Sequence, residues 1–159
     1  MRGYFAIGVE KLSKPMNAGN LFRSAHAFGA SYVFTVGGTY GAKIAKSDTS
    51  KSNYHIPHYV YNSARELILP ADCSLVGVEL VESAEILPSF KHPRRAAYIL
   101  GPEKGSLSDD LIQQCNYIVK IPSKFCVNVA IAGAIVMYDR AIALGNFKNR
   151  PLSSKGFTT

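Results

Sequence analysis

The 159-residue chain has no tryptophan, only three cysteines and few charged residues, which make up 18% of the total. Cys73, Cys115 and Cys126 are odd in number and form no C-x-x-C pair, so neither a disulfide framework nor a metal site is expected. No apolar run approaches the roughly 18 residues of a membrane span, and a charge interrupts the first ten residues too early for a secretory signal. With 47% hydrophobic residues the composition is not that of a disordered chain. We therefore expect one cytoplasmic globular domain over residues 1–159, of which 145–159 form a polar, basic tail.

Basic residues outnumber acidic ones by seven, and the excess is unevenly distributed. The net charge is +6 over residues 11–65, −4 over 66–110 and +5 over 111–159. Two basic ends on either side of an acidic middle indicate a surface that faces a polyanion, with nucleic acid as the leading candidate. Charge alone leaves a generic basic surface open as the alternative.

Runs of β-forming residues alternate with helical patterns along the chain, which predicts an α/β domain with a mostly parallel sheet flanked by helices. Strands are predicted at 4–9, 31–36, 59–61, 74–80, 96–100 and 117–121, and a Gly- and Lys-rich loop at 37–53.

Residues that typically begin or end helices lie between these predicted strands. Asn17 or Asn20 is predicted to cap a first helix that ends at Gly29, with Leu21, Ala25 and Phe28 on its apolar face. Ser63 and Glu66 have capping-box spacing, and Ser108 is placed to cap a helix that runs through Gln114. An Ala-rich apolar helix is predicted over 127–144 and is expected to pack in the core.

Ligands of parallel sheets bind beyond the carboxyl ends of the strands, where three loops are predicted at 15–23, 101–108 and 122–128. In the first loop, Asn17, Gly19 and Asn20 leave backbone N–H groups available to an anion. Arg23 shares a helical face with Asn20 and suits a phosphate group. An ordinary capped helix with an exposed arginine is the alternative. No P-loop or dinucleotide-binding fingerprint is present.

The other two loops also carry polar residues next to strand ends. Gly101 lets a ligand approach the backbone, and Gly105 permits a sharp turn. Glu103 is expected to accept hydrogen bonds from the start of the following helix. Asn128 begins a buried helix, so its amide must either tie two loops together or face a ligand.

Together and in this order, these motifs resemble the SpoU or TrmH branch of the SPOUT RNA methyltransferases over roughly residues 4–144. Three groups of residues carry the resemblance: Asn17, Gly19 and Arg23; Gly101, Glu103 and Leu107; and Ile121-Pro122 with Cys126-Val127-Asn128-Val129.

The resemblance implies an α/β SPOUT fold whose C-terminal part forms a deep trefoil knot, and a homodimer with active sites at its interface. It implies S-adenosylmethionine as the cofactor, no metal, and methyl transfer to a ribose 2′-hydroxyl of RNA, with tRNA favoured over rRNA. The implied catalytic residues are Arg23, Asn17 and Asn128, and the implied cofactor-binding residues are Val78, Leu100, Gly101, Glu103, Ile121 and Cys126.

This chain departs from the family pattern in two of the three loops. Lys104 and Ser106 stand where the family has glycines, only three residues separate Pro122 from Cys126, and Cys126 replaces a serine. These departures motivate an alternative, a catalytically inactive or weakly active RNA-binding dimer with a methyltransferase-like fold.

Several other polar residues are open to two interpretations. His26 is expected at the surface or in packing, and His55 and His58 have no carboxylate at ligand spacing. Tyr54, Tyr59 and Tyr61 are expected either to pack on a strand or to stack on RNA bases. The basic cluster at residues 91–95 is expected to be a solvated loop or an RNA contact.

Overall fold

The computed structural model describes residues 3–38 and 55–150. Its strands are β1 (Tyr4–Glu10), β2 (Tyr32–Val36), β3 (His58–Tyr61), β4 (Ser74–Val78), β5 (Glu85–Ile86), β6 (Arg95–Leu100) and β7 (Tyr117–Lys120). Within the described residues these strands form one sheet in the order β3-β2-β1-β6-β4-β7-β5, and every pairing is parallel.

Helices cover both faces of this sheet. They are α1 (Pro15–Ala27), α2 (Asp109–Gln114) and α3 (Val129–Leu144), with single 3-10 turns at Ala64–Glu66 and Leu87–Ser89. The predicted α/β fold with a parallel sheet flanked by helices is therefore confirmed. None of the helices in the described ranges is long and apolar enough to cross a bilayer.

Successive residues of the central strands point to opposite faces of the sheet, as the strand period requires. On one face Ile7, Val9 and Leu100 join a core formed with α1 and α3. On the other face Ala6 and Ile99 join a core formed with α2. Burial on both faces explains why these strands are continuous apolar runs in the sequence rather than alternating ones.

The strand order places the ends of four strands close together. β6 pairs with both β1 and β4, and β7 pairs with β4 on its far side. Because all strands are parallel, the segments that follow β1, β4, β6 and β7 emerge at the same edge of the sheet. The three predicted loops and the end of β4 therefore converge there.

The predicted start of the first helix is wrong. α1 begins at Pro15 with Lys14 in the N-cap position, and Lys14 makes no side-chain capping bond. Proline is well suited to this position because its fixed φ matches the first helical turn. A backbone N–H at this position would make no hydrogen bond within the helix, so the helix loses nothing by its absence. Asn17 and Asn20 consequently lie inside the helix, and the predicted loop 15–23 is helical.

α1 ends at Ala27, and Gly29 terminates the helix as predicted. Its φ of +82° is readily adopted by glycine. Leu21 and Ala25 are fully buried, as predicted. Phe28 is 37% exposed and follows the helix, so it is not part of the buried face.

The other local predictions differ in detail. Ser63 makes no side-chain cap, and the Glu66 carboxylate accepts the Asn62 N–H at 3.0 Å, so a single 3-10 turn forms instead of a capping box. Ser108 caps α2 as predicted, accepting the Leu111 N–H at 3.3 Å. β4 ends at Val78 rather than at residue 80, and the two-residue strand β5 was too short to show a period. Residues 39–53 of the predicted loop lie outside the described residues, as does Tyr54.

Candidate functional site

A cavity of about 400 Å³ opens at the carboxyl edge of the sheet, beyond the ends of β4, β6 and β7. Its volume lies within the usual range for small-molecule sites. All of the residues predicted to bind a cofactor line this one cavity: Val78, Leu100, Gly101, Glu103, Ile121 and Cys126. Positions up to 48 residues apart in the sequence are thus brought together by the strand order.

One part of the cavity is apolar and closely bounded by backbone. Val78, Leu80, Leu100 and Ile121 contribute aliphatic side chains to the lining. At Gly101, a Cβ atom would lie 3.1 Å from the Leu107 nitrogen, so glycine lets the two loop segments approach. The result is an apolar recess with backbone groups at its edge, an arrangement that suits a flat heterocyclic base.

Glu103 fastens the loop after β6 to the start of α1. Its Oε2 accepts the Ser13 N–H at 3.0 Å and the Ser13 hydroxyl at 2.9 Å. Its Oε1 accepts the Lys14 N–H at 2.9 Å and the Asn17 amide at 3.1 Å. The expectation that Glu103 serves the following helix is therefore wrong, because its partners precede α1 in the chain or lie in its first turn. Partial burial opposes ionisation of Glu103, but hydrogen bonds from Ser13 and Asn17 outweigh burial and lower its pKa to about 2.

Asn17 and Asn128 form the wall between this cavity and a second one. The Asn128 amide donates to the Asn17 Oδ1 at 3.1 Å. The Asn128 Oδ1 also caps α3, accepting the N–H groups of Ala130 at 2.9 Å and Ile131 at 3.3 Å. Both asparagines line the first cavity and the groove next to it.

Arg23 lies in that second cavity, a groove of about 520 Å³ between α1 and α3 that we call the arginine groove. Asn20 and Ser24 line the groove with it, which confirms that Asn20 and Arg23 share one helix face. The Arg23 side chain is exposed, so its five N–H donors are accessible to a ligand from solution. The predicted catalytic residues Arg23, Asn17 and Asn128 therefore meet at one groove, adjacent to the first cavity.

Sequence reasoning missed Glu79 and Lys14, which also line the first cavity. The predicted strand 74–80 placed Glu79 inside a strand, whereas β4 ends one residue before it. A carboxylate directly after an apolar parallel strand was the signal available in the sequence.

The remaining candidate residues lie away from the cavity. His26 stacks on His55 with ring centroids 4.8 Å apart, and His58 contacts Phe22. Tyr59 is 49% exposed on the edge strand β3. No group of three or more His, Cys, Asp or Glu in the described part of the chain is arranged to hold a metal ion.

The basic cluster at residues 91–95 lies at the amino end of β6, on the opposite edge of the sheet from the cavity. His92 is buried and bonds Tyr98 at 2.6 Å and Asp139 at 2.8 Å. Burial lowers the pKa of His92, although its bond to Asp139 acts in the opposite direction. Arg140 donates to the Arg94 carbonyl at 2.8 Å and to the Tyr98 hydroxyl at 3.1 Å, so this network fastens α3 to β6.

The chain is similar in sequence to known RNA methyltransferases. The model of the SpoU rRNA Methylase family matches residues 4–138. The tRNA (guanosine(18)-2'-O)-methyltransferase TARBP1 of Mus musculus is 24% identical over 143 residues, which are 80% of this chain but only 9% of that protein.

Solved structures show the same fold. An AdoMet-bound rRNA methyltransferase from Sinorhizobium meliloti superimposes with a TM-score of 0.77 at 22% identity, over 91% of this chain and 58% of that one. A TrmH/SpoU tRNA modifying enzyme from A. aeolicus gives a TM-score of 0.77 at 15% identity, over 89% and 76% of the two chains. The order of the motifs, the shared cavity wall and the family match lead to one conclusion: the chain belongs to the SpoU rRNA Methylase family of the SPOUT superfamily.

Proposed function

We propose that the protein is an S-adenosylmethionine-dependent RNA methyltransferase that methylates a ribose 2′-hydroxyl. The observation that carries this proposal is the shared wall of the two cavities. Asn17 and Asn128 separate an apolar, glycine-bounded cavity from a groove that presents an exposed arginine. A methyl donor in the first cavity and an RNA phosphate in the second would therefore be neighbours.

The first cavity fits the groups of S-adenosylmethionine. Its aliphatic lining suits the adenine ring, and its backbone edge at Gly101 suits hydrogen bonding to a base. Lys14 at the rim suits the carboxylate of the methionine part. When bound, the cofactor supplies a sulfonium-activated methyl group, which needs no metal.

The protein's own residues align the RNA and stabilise the negative charge that develops on the reacting ribose. Arg23 is a poor base because a guanidinium stays protonated. We assign it to clamping the phosphate next to the reacting ribose, which accepts the proton that the 2′-hydroxyl loses, and to stabilising the alkoxide that develops there. Asn17 and Asn128 hold the start of α1 against the start of α3, which keeps Arg23 in register with the first cavity.

RNA is the substrate class of the family, and the surface near the groove is suited to it. Arg23, Lys14 and Lys124 are exposed on this side of the molecule, and backbone phosphates account for most nonspecific RNA affinity. We favour tRNA over rRNA because the Mus musculus relative and the A. aeolicus structure are both described as acting on tRNA.

We further propose that the protein acts as a homodimer through α3 and that its C-terminal part is knotted. Ile131, Ile135, Tyr138 and Ile142 form an exposed apolar stripe along one face of α3, and Ile131 also lines the arginine groove. A second copy on this stripe would border the groove. The placement of β7 between β4 and β5, two strands that precede it in the chain, is compatible with a knotted path.

Calorimetry and a methyl-transfer assay test the proposed function together. We expect S-adenosylmethionine to bind with a Kd between about 1 µM and 1 mM. With tRNA present, we expect label from the methyl group to appear on ribose in nuclease digests. Absence of binding at millimolar cofactor would overturn the proposal. Binding without transfer to tRNA or rRNA would favour the alternative of an RNA-binding dimer without catalytic activity.

A further inference from the structure

Two carboxylates line the first cavity, and they differ in how many hydrogen bonds they already accept. A carboxylate has about four acceptor positions. Glu103 uses four, two on each oxygen, all with partners from residues 13–17. It therefore has no acceptor position left for a ligand.

Within the described residues, Glu79 accepts only two hydrogen bonds, one on each oxygen. Its Oε1 accepts the Leu80 N–H at 3.1 Å, and its Oε2 accepts the Leu107 N–H at 2.8 Å. These bonds fix the carboxylate between the end of β4 and the loop after β6, and its Oε2 lies 3.5 Å from the Cβ position of Gly101. Glu79 thus keeps one acceptor position on each oxygen while both oxygens are held in place.

The neighbours of Glu79 indicate which ligand donors would fill these positions. Val78 and Leu80, on either side of it in the chain, both contribute to the apolar lining that suits a base. The group attached directly to the base of a nucleoside is its ribose, whose vicinal hydroxyls present two O–H donors on adjacent carbons. Two fixed oxygens with one free position each match this pair of donors.

Resting on the proposed function, we infer that Glu79 binds the 2′- and 3′-hydroxyls of the cofactor's ribose. A hydrogen bond to a charged acceptor is shorter and stronger than one between neutral groups. Glu79 is therefore a binding residue that selects ribonucleoside cofactors and positions them, while Glu103 only braces the loop.

The test compares a parent ligand and its deoxy analogues on two proteins. S-Adenosylhomocysteine and its 2′-deoxy and 3′-deoxy analogues are titrated by calorimetry into the wild-type protein and into Glu79→Gln. We expect the wild type to bind the deoxy analogues about tenfold more weakly, or about 1.4 kcal/mol. We expect Glu79→Gln to bind the parent ligand about tenfold more weakly than the wild type does, and to bind the deoxy analogues less than about threefold more weakly than the parent ligand. Changing the side chain and the ligand hydroxyl both separately and together isolates the contact between them.

Glu82→Gln is the matched control, since Glu82 is exposed three residues away and does not line the cavity. It should keep the wild-type discrimination. If Glu79→Gln loses measurable binding, Glu79→Asp, which keeps the charge, should retain part of the discrimination. Discrimination in Glu79→Gln equal to that of the wild type would overturn the inference, whatever the change in overall affinity.

Two more binding results would each overturn the ribose assignment, for different reasons. If Glu79→Gln weakens S-adenosylmethionine binding but not S-adenosylhomocysteine binding, the carboxylate recognises the sulfonium cation and not the ribose. If the wild type binds neither ligand, the proposed function itself fails, and the Glu79 assignment fails with it.

Discussion

Four hydrogen-bond donors converge on the carboxylate of Glu103, and all belong to residues 13–17, just before α1 and in its first turn. At the residue scale, a few such polar contacts connect loops that lie far apart in the chain. The Glu103 bonds span 86 to 90 residues, and the Asn17–Asn128 bond spans 111. The alignment of the cavity with the arginine groove therefore depends on single side chains.

Glu103→Gln should destabilise the protein in a pH-dependent way. The folded pKa of Glu103, about 2, is below its ordinary value of 4.5, so its ionised form contributes stability that is fully present above pH 4.5. That contribution is lost as the pH falls from 4.5 towards 2. We expect Glu103→Gln to have a Tm a few degrees below the wild type at pH 7, with the gap narrowing below pH 4.5. Glu82→Gln, at an exposed site, should show no such narrowing, and a constant gap for Glu103→Gln down to pH 2.5 would refute the assignment.

Arg23→Ala should separate catalysis from folding and cofactor binding. Arg23 is exposed and does not line the first cavity, so the Tm and the affinity for S-adenosylmethionine should stay near wild-type values. Methyl transfer should fall by about 10²–10³-fold, the usual cost of removing one donor that stabilises developing negative charge. Arg65→Ala changes an exposed arginine outside the arginine groove and serves as the control. Transfer by Arg23→Ala within threefold of the wild type would remove Arg23 from the mechanism.

At the element scale, the groove depends on how closely α1 and α3 pack. Gly133 in α3 faces Leu21 in α1, and a Cβ at Gly133 would lie only 2.3 Å from the Leu21 Cδ1. Leu21 is fully buried, so it cannot move aside without displacing its neighbours. The small residue at 133 therefore sets the separation between α1, which carries Arg23, and α3, which Asn128 caps.

Gly133→Ala should destabilise the protein although alanine is the better helix former. Helix propensity alone would add about 1 kcal/mol to the free energy of unfolding, whereas overpacking a core costs about 1–3 kcal/mol. We expect a net loss of about 1 kcal/mol, measured by urea denaturation. In a Leu21→Ala background, which makes room at the contact, the same change should become stabilising. A gain in stability from Gly133→Ala alone would contradict this packing argument.

At the scale of the whole molecule, the apolar stripe on α3 is an exposed surface of the described residues that a partner would bury. Its members lie four, three and four residues apart, so they share one helix face opposite the buried side of α3. Met16, 73% exposed, extends the apolar surface across the groove at the start of α1. A homodimer on this face would bring a second protein surface beside each arginine groove.

Replacing Ile135 and Tyr138 together by glutamate should yield a monomer in light scattering. Two charges placed in an apolar interface carry an uncompensated desolvation cost. Methyl transfer should be lost with the dimer, because in the proposed dimer the second copy would border the arginine groove. Ile68→Glu, at a 74% exposed apolar position outside the stripe, should remain dimeric. A wild-type protein that is monomeric at micromolar concentration would exclude the dimer.

Much of the fold could be predicted from local pattern. Apolar runs such as that of β1 predicted strands because β-forming residues buried on both faces leave an unbroken signature. Ser108 and Gly29 marked helix boundaries correctly because capping and positive φ depend on the residue itself. The start of α1 was misplaced because Pro15 and the distant Glu103 carboxylate, rather than an adjacent asparagine, define it.

The sequence by itself determined the parallel α/β class and the order of the motifs, since these follow from periodicity and residue type. The family resemblance that the motifs carry predicted six of the residues that line the cavity. Only the tertiary structure decided what those residues do to one another. It showed that the carboxylate of Glu103 accepts four hydrogen bonds from the described residues and that of Glu79 only two. It also showed that Asn17 and Asn128 form the wall between the two cavities. Hydrogen-bond partners across 28 to 111 residues are set by strand order and loop geometry, which local sequence does not encode.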